Sequence, residues 1–140
     1  MKSRKTVLVC VTPQESSKLL VAAGKVLAKK NSADLEVISV LPLEFNQDRT
    51  DPSVLDRLYG YAKEEGGEMA VYFSDEPTYT IAAHIAKTKP ELLVVGFPGE
   101  DSNGFVTMIH MLIPELPISM VDGDKVYNIL PFETNQPVCS

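Results

Sequence analysis

The sequence predicts a three-layer α/β/α fold, in which a five-stranded parallel sheet carries helices on both faces. Two observations support this prediction. Short β-branched apolar runs alternate along the chain with amphipathic segments, several of which open with a capping residue followed by proline. The apolar runs have no polar face, which is typical of strands covered on both sides. We expect the strand order 3-2-1-4-5, which places the switch point between strands one and four.

The first strand and helix carry the clearest local signals. The run Thr6-Val7-Leu8-Val9-Cys10-Val11 predicts a buried strand. Thr12, Pro13 and Glu15 then resemble a capping box with proline at the first helical position, which predicts a helix over residues 13–30. The helical residues expected to pack on the sheet are Leu19, Ala23, Val26 and Leu27.

The remaining elements follow in the same alternation. Strands are predicted over residues 35–41, 69–73, 92–95 and 118–121, and helices over residues 52–65, 78–87 and 103–113. The buried face predicted for the third helix consists of Ile81, Ala82, Ile85 and Ala86, which leaves His84 facing solvent or an interface. The domain is predicted to span residues 1–130, followed by a C-terminal tail over residues 131–140.

Composition and charge exclude several classes of partner. The 140 residues carry 19 acidic and 13 basic side chains, a net charge of −6. Nucleic acids and anionic membranes attract positive surfaces, so we expect neither as a partner. No apolar run approaches the roughly 20 residues of a membrane span, and the one after the basic N-terminus is too short for a signal peptide. The sequence therefore predicts a cytoplasmic protein. Cys10 and Cys139 predict neither a disulfide nor a metal site.

A glycine-containing loop follows the fourth strand. It reads Gly96-Phe97-Pro98-Gly99-Glu100-Asp101-Ser102-Asn103-Gly104. A strand that leads through such a turn into a helix N-terminus is where α/β proteins bind anions, because the first backbone N–H groups of the helix are unpaired. Glu100 and Asp101, however, bring a charge of the wrong sign for phosphate.

The candidate binding residues lie where the predicted strands end. Ligands of doubly wound sheets bind beyond the carboxyl ends of the strands, at the switch point. Each candidate also has a purely structural interpretation: the glycines as a tight turn, Ser102 or Asn103 as a helix N-cap, and Thr12 as part of the capping box. The candidates are Thr12, Pro13, Val40, Leu41, Gly96, Gly99, Ser102, Asn103 and Gly104.

Three segments resemble the universal stress protein family over most of residues 5–121. They are the opening strand Val7-Leu8-Val9-Cys10-Val11, the helical Ala82-Ala83-His84-Ile85-Ala86, and Glu91-Leu92-Leu93-Val94-Val95-Gly96. The first strand with Thr12-Pro13 is also similar to the related domain of sensor kinases that control potassium uptake. The resemblance implies an adenine nucleotide alpha hydrolase-like fold.

The nucleotide-binding members of that family carry Gly-x2-Gly-x9-Gly-Ser/Thr after strand four, and an Asp after strand one. Gly96 and Gly99 match the first half of this pattern. Ile109 and His110 stand where the second glycine and the hydroxyl belong, and Thr12 replaces the Asp. The chain therefore lacks part of the motif with which the family binds the ATP phosphates.

These observations lead to a non-catalytic regulatory or signalling domain of universal stress type, with a degenerate nucleotide pocket and no cofactor. The alternative is a genuine ATP- or AMP-binding stress protein with an altered phosphate loop. A slow nucleotide hydrolase and an interaction module with an empty pocket remain further interpretations. His84 and His110 are the only histidines, and neither has a nucleophile at motif spacing, so no catalytic residue is predicted.

The fifth strand bears on assembly. Ile118-Ser119-Met120-Val121 is apolar, and dimers of the family commonly pair through this edge strand. The segment Lys125-Val126-Tyr127-Asn128-Ile129-Leu130 either folds back to cover that edge or takes part in an exchange between chains. An uncovered apolar edge favours aggregation. We therefore expect a homodimer through Ile118 to Val121, with residues 125–130 as a second candidate segment.

Overall fold

A computed structural model describes residues 5–12, 16–46, 52–96, 103–123 and 125–129. Six strands form one sheet: β1 Thr6–Cys10, β2 Asp34–Leu41, β3 Glu68–Phe73, β4 Leu92–Gly96, β5 Ile118–Asp122 and β6 Lys125–Ile129. Four α-helices connect them: α1 Ser17–Lys30, α2 Pro52–Glu64, α3 Pro77–Thr88 and α4 Asn103–Leu112. A short 3₁₀ helix, Leu43–Asn46, follows β2. None of the helices in the described ranges is long and apolar enough to cross a membrane.

The sheet has the order β3-β2-β1-β4-β5-β6. The first five strands are parallel, which confirms the predicted fold class and the order 3-2-1-4-5. β1 lies at the switch point, with Val9 in register with Val37 of β2 on one side and with Val94 of β4 on the other. Because the chain leaves β1 in one direction and returns on its other side, the strand ends there diverge and leave a crevice.

Alternate residues of the strands point to two separate cores. The core of the first face lies beneath α1 and α2 and includes Val9, Val37 and Leu58, all fully buried. The core of the second face lies beneath α3 and α4 and includes Leu8 and Ile109. Strands that contribute to both cores need apolar side chains at consecutive positions, which explains the continuous apolar runs of the sequence.

Helix α1 differs from its prediction in both start and orientation. It begins at Ser17, with Ser16 at the N-cap, rather than at Pro13 after a Thr12 cap. Its buried residues are Ser17, Val21, Gly24 and Ala28, whereas Leu19 and Val26 are exposed. The reason is close approach: the surface of α1 that meets β1 carries small residues, and a Cβ on Gly24 would overlap Cγ2 of Val9.

Helix α3 also turns a different face inward. Ile81, His84 and Ile85 are buried, whereas Ala86, predicted to be buried, is exposed. The prediction that His84 faces solvent or an interface is wrong, since this residue is only 5% exposed. A polar side chain is stable at this position because both ring nitrogens find hydrogen-bond partners on the sheet.

Strand β6 pairs antiparallel with β5 of the same chain, from Ile118 opposite Ile129 to Asp122 opposite Lys125. The turn between them contains Gly123 with φ +65°, a conformation that favours glycine. The hydroxyl of Ser119 donates a hydrogen bond of 2.7 Å to Oδ1 of Asn128. Of the two predicted alternatives for this segment, the structure shows the fold-back, so β5 is an interior strand with neighbours on both sides.

Candidate functional site

A cavity of about 880 Å³ lies at the switch point, beyond the carboxyl ends of the parallel strands. We call it the switch-point cavity. The ends of β1, β2, β4 and β5 line it together with the first turns of α1, α3 and α4. Small-molecule pockets in proteins typically measure about 300–1,000 Å³, so this cavity has room for a nucleotide-sized ligand.

The lining of the cavity is apolar at its base and carries hydroxyl groups at its rim. Ile38, Val40 and Val95 contribute aliphatic surface from the sheet. The polar lining residues are Thr12, Ser16, Ser17 and Thr78, to which Asp122 adds a carboxylate. Such a lining suits a flat, uncharged ring system flanked by hydroxyl groups.

Ser17 holds the loop after β1 in place. Its hydroxyl donates to the backbone carbonyl of Thr12 at 2.7 Å and accepts a bond from the Thr12 N–H at 3.3 Å. Ser17 is buried, whereas Thr12 is exposed at the mouth of the cavity. The Ser17 hydroxyl is therefore already engaged with the Thr12 backbone, whereas Glu15 of the predicted capping box lies outside the described residues.

Gly96 ends β4 in the cavity wall. It does not have a positive φ, and a Cβ at this position would meet only Cδ2 of Leu20, at an ordinary 3.7 Å. Gly96 itself therefore shows neither the positive φ nor the close packing of the predicted tight turn, whose remaining residues lie outside the described ranges. Its lack of a side chain leaves cavity volume free instead.

The other predicted site residues are distributed unevenly. Val40 lines the cavity, but Leu41 does not, because consecutive strand residues point to opposite faces. The Leu41 side chain lies in the core of the first face, and its carbonyl accepts a 2.8 Å bond from the N–H of Ser74. Gly104 is exposed in the first turn of α4, outside the lining.

Several predictions fall on parts of the chain that the structure does not describe. Pro13, Gly99 and Ser102 lie outside the described residues, as do Glu100 and Asp101. Asn103 is described as the first residue of α4, but its side chain is not. The involvement of these residues in binding stays a prediction.

The charge around the cavity is negative. Asp122 is the charged residue among the described lining residues, which include no lysine, arginine or histidine. In the sequence, residues 12–17 and 96–104 contain Glu15, Glu100 and Asp101 and no basic residue, although these three acidic residues lie outside the described residues. A ligand with several negative charges would therefore meet repulsion here.

Cys10 lies at the carboxyl end of β1, in the lining of the cavity. Burial raises the pKa of its thiol from 9.0 to about 12. The thiolate is the nucleophilic form of cysteine, so the Cys10 side chain is unreactive at neutral pH.

Most of the lining residues were not predicted from the sequence, and three of them lie at the ends of β5 and α3. Asp122 is the last residue of β5, Gly123 follows it, and Thr78 lies in the first turn of α3. The rule that ligands bind beyond strand ends applies to β5 as well, so the Asp122-Gly123 turn could have been found by extending it one strand past the switch point. Thr78 carries no comparable sequence signal, because its position depends on how α3 packs.

Comparison with solved structures relates this fold to known proteins. A protein of the universal stress protein family from Burkholderia pseudomallei is 16% identical, with a TM-score of 0.60 over 84% of this chain and 96% of that chain. A universal stress protein in complex with cAMP is 18% identical, with a TM-score of 0.62 over 86% and 98%. The universal stress protein of Archaeoglobus fulgidus in complex with dAMP is 13% identical, with a TM-score of 0.57 over 87% and 98%.

These similarities confirm the predicted resemblance at the level of the fold: the chain has the three-layer fold of universal stress proteins. No protein-family model matches the sequence, and no curated protein matches it either. The similarity to the sensor-kinase domain stays a prediction.

Proposed function

We propose that this protein is a non-catalytic regulatory domain of universal stress type, whose cavity no longer binds a nucleoside triphosphate tightly. The observation that carries the proposal is the charge of the switch-point cavity. Asp122 supplies a carboxylate, and the described lining supplies no cation. A pair of like charges about 4 Å apart costs about 1 kcal/mol in water and about 4 kcal/mol near a protein surface.

The same cavity favours a ligand of low charge. Its volume of about 880 Å³ and its aliphatic base accept an adenine ring and a ribose, and the hydroxyl groups of Thr12 and Thr78 offer hydrogen bonds. Two proteins with the same fold were solved with cAMP and with dAMP. These ligands carry one phosphate group, which supports a ligand of low charge, in preference to ATP, for this chain.

The chemistry of the lining supports a sensor rather than an enzyme. The Cys10 thiol is held protonated, and the Ser17 hydroxyl is engaged with the Thr12 backbone. No histidine lies among the described lining residues to act as a base for either group. Binding of the ligand is therefore proposed to change how the cytoplasmic domain contacts a partner, without turnover.

Isothermal titration of the intact protein with adenosine, cAMP, AMP and ATP, with and without magnesium, tests this proposal. We expect affinity to fall as the charge of the ligand rises, with ATP the weakest. Micromolar binding of ATP contradicts the degenerate pocket and favours the alternative of an ATP-binding stress protein with an altered loop. Release of ADP or AMP from bound ATP contradicts the non-catalytic assignment.

A charge substitution sharpens the test. Asp122→Lys places a cation in the lining, so the affinity for ATP is expected to rise about tenfold or more, while the affinity for adenosine changes little. Asp56→Lys is the matched control, because it makes the same charge change at an exposed position of α2 outside the lining. Equal effects of the two variants contradict a local role of the Asp122 carboxylate.

A genuine AMP-binding stress protein is the second candidate. The observation that favours it is the position of α4, which begins at Asn103 directly after the glycine-containing segment. Its first backbone N–H groups can bind an anion without the help of a cationic side chain. Tighter binding of AMP than of adenosine supports this candidate, and the reverse order contradicts it.

The domain is further proposed to form a homodimer. Since β5 is paired on both sides within the chain, the outer side of β6, where Val126 and Tyr127 are each more than two-fifths exposed, is the part of this sheet end that a second copy would meet. Light scattering of the intact chain and of a double variant, Val126→Lys with Tyr127→Lys, which keeps β6 in the chain beside β5, tests this. A dimer that survives both charge substitutions contradicts an interface through β6.

A further inference from the structure

A second cavity, of about 590 Å³, lies between α3 and the edge strand β3. We call it the edge groove. It shares no lining residue with the switch-point cavity, so the two are separate sites. Tyr79 and Ala83 of α3 form an apolar wall, and Tyr72 of β3 lies opposite in the sheet. Lys87 and Glu76, of opposite charge, also line the groove.

Three titratable side chains form a hydrogen-bonded row beside this groove. His84 of α3 lies in the middle, with its Nε2 3.2 Å from Oε2 of Glu36 on β2. Its Nδ1 is 2.8 Å from the phenolic oxygen of Tyr72. The side chain of His84 is 5% exposed and that of Glu36 is 17% exposed, so water competes little for these bonds.

The order of donors in the row follows from chemistry. A carboxylate accepts hydrogen bonds, so Nε2 of His84 carries the N–H that donates to Glu36. Nδ1 then has a free lone pair, and the Tyr72 hydroxyl donates its proton to it. The phenolic oxygen of Tyr72 therefore keeps its lone pairs for another group, while its proton is directed towards a base.

This arrangement has the logic of an activated nucleophile: a hydroxyl, a base within hydrogen-bond distance, and a carboxylate that orients the base. We propose that Tyr72 accepts an acyl group from small, uncharged activated esters that enter the edge groove. An uncharged donor fits because Lys87 and Glu76 balance each other, and an apolar acyl group fits the wall of Tyr79 and Ala83.

In the reaction, the phenolic oxygen of Tyr72 attacks the carbonyl carbon of the ester and forms the new C–O bond. The proton of the hydroxyl passes to Nδ1 of His84, which becomes an imidazolium stabilised by Glu36. The bond between the carbonyl carbon and the leaving oxygen breaks with its electron pair, and the alcohol leaves after taking the proton from His84. The products are O-acyl-Tyr72 and the alcohol.

The exposed tyrosines provide internal controls. Tyr79 lies in the same groove and is 57% exposed, and Tyr59 on α2 is 51% exposed. If exposure alone decided reactivity, both would react faster than the half-buried Tyr72. Activation by His84 predicts the opposite order.

The test uses p-nitrophenyl acetate with the intact protein at mildly alkaline pH. We expect a burst of p-nitrophenolate that approaches one equivalent per chain, and peptide mass spectrometry should place the acetyl group on Tyr72 at least tenfold faster than on Tyr59 or Tyr79. Tyr72→Phe should remove the burst, and Tyr59→Phe, on α2 outside the groove, should keep it. Equal acetylation of the three tyrosines overturns the proposal.

His84→Gln separates activation from structure, because the amide can still bridge the two neighbours but cannot accept a proton at the nitrogen. We expect at least a tenfold slower acetylation of Tyr72, and an unchanged rate overturns the proposal. Should this variant not fold by circular dichroism, Glu36→Gln takes its place, because Glu36 is more exposed than His84.

Glu36 is a positioning residue, which requires a different measurement. The ¹⁵N chemical shifts of His84 should show a protonated Nε2 and an unprotonated Nδ1 in the unaltered protein, and a mixture of both forms in Glu36→Gln. Acetylation of Tyr72 should slow in parallel. A His84 that is already protonated mainly at Nδ1 in the unaltered protein overturns the proposal.

Discussion

On the first face of the sheet, α1 approaches β1 through Gly24, whereas on the second face α3 is fixed by hydrogen bonds from His84. A Cβ at Gly24 would overlap the side chain of Val9, so the strand side chain packs directly against the helix backbone at this point. His84, in contrast, fills the space above the sheet and links β2 to β3 through Glu36 and Tyr72. The position of α1 on the first face is set by the volume of the side chains that pack there, whereas the position of α3 on the second face is set by hydrogen-bond geometry.

This difference predicts which substitutions on each face the protein tolerates. An apolar contact loses energy when volume is added or removed, but no partner is left unsatisfied. A buried polar row responds to the loss of a single member, because the remaining groups lose partners that water cannot replace. Functional chemistry is therefore expected on the second face, where titratable groups are already held in place.

The largest effect is expected from Gly24→Ala. Alanine is the better helix former, but its methyl group must displace Val9, a branched and fully buried side chain, so we expect a loss of up to about 3 kcal/mol in the free energy of unfolding. Urea denaturation measures it. A stabilised Gly24→Ala variant contradicts the close contact between α1 and β1.

His84→Leu comes next. The leucine side chain fills similar space but leaves Glu36 and Tyr72 without their shared partner, at a cost of about 2 kcal/mol. The matched control is the double variant with Tyr72→Phe, which removes one of the orphaned groups. In a double-mutant cycle the second substitution should cost less in the His84→Leu background than alone. Additive losses contradict a connected row.

A smaller, pH-dependent effect is expected from Cys10, which packs on the second face. Because burial raises the pKa of its thiol from 9.0 to about 12, the folded protein keeps a proton that the unfolded chain releases above pH 9. Stability is therefore lost as pH rises through this window, by about 1.4 kcal/mol at pH 10. The difference between the unaltered protein and Cys10→Ala, measured at pH 8 and pH 10, isolates this contribution. An unchanged difference contradicts a buried thiol.

The smallest effect is expected from Gly60→Ala on α2. A Cβ at this position meets no atom within 4 Å, so the same substitution that destabilises α1 should stabilise the protein here, by about 0.5–1 kcal/mol. Thermal unfolding of both alanine variants side by side compares them. Stabilisation by both substitutions would show that helix propensity, rather than contact with the sheet, decides the outcome.

The sequence was sufficient for the fold because its signals are local. Alternating strands and helices determine a parallel sheet, and the capping and proline signals at Pro52 and Pro77 mark helix starts that the structure places within one residue of the prediction. The start of α1 was not predictable in this way. There the Ser17 hydroxyl bonds to the Thr12 carbonyl, a contact that carries no sequence signal.

The candidate site was predictable only in part. Thr12, Val40 and Gly96 line the cavity as the strand-end rule predicts, whereas Leu41 points away because one residue reverses the face of a strand. The row of Glu36, His84 and Tyr72 was not predictable, because its members are 48 and 12 residues apart in the chain. When the buried face of a helix is assigned from its apolar residues alone, such a histidine is assigned to the solvent-facing side.

The fold-back of β6 onto β5 affects how long β5 stays unpaired during synthesis of the chain on the ribosome. Ile129 is added seven residues after Asp122, which takes roughly one second at about 5–20 residues per second. A β-hairpin closes within about 1–10 μs once both strands are free to meet. The apolar outer edge of β5 is therefore unpaired only briefly in each new chain. The time until β6 covers this edge depends on the rate of translation and not on the concentration of a second copy.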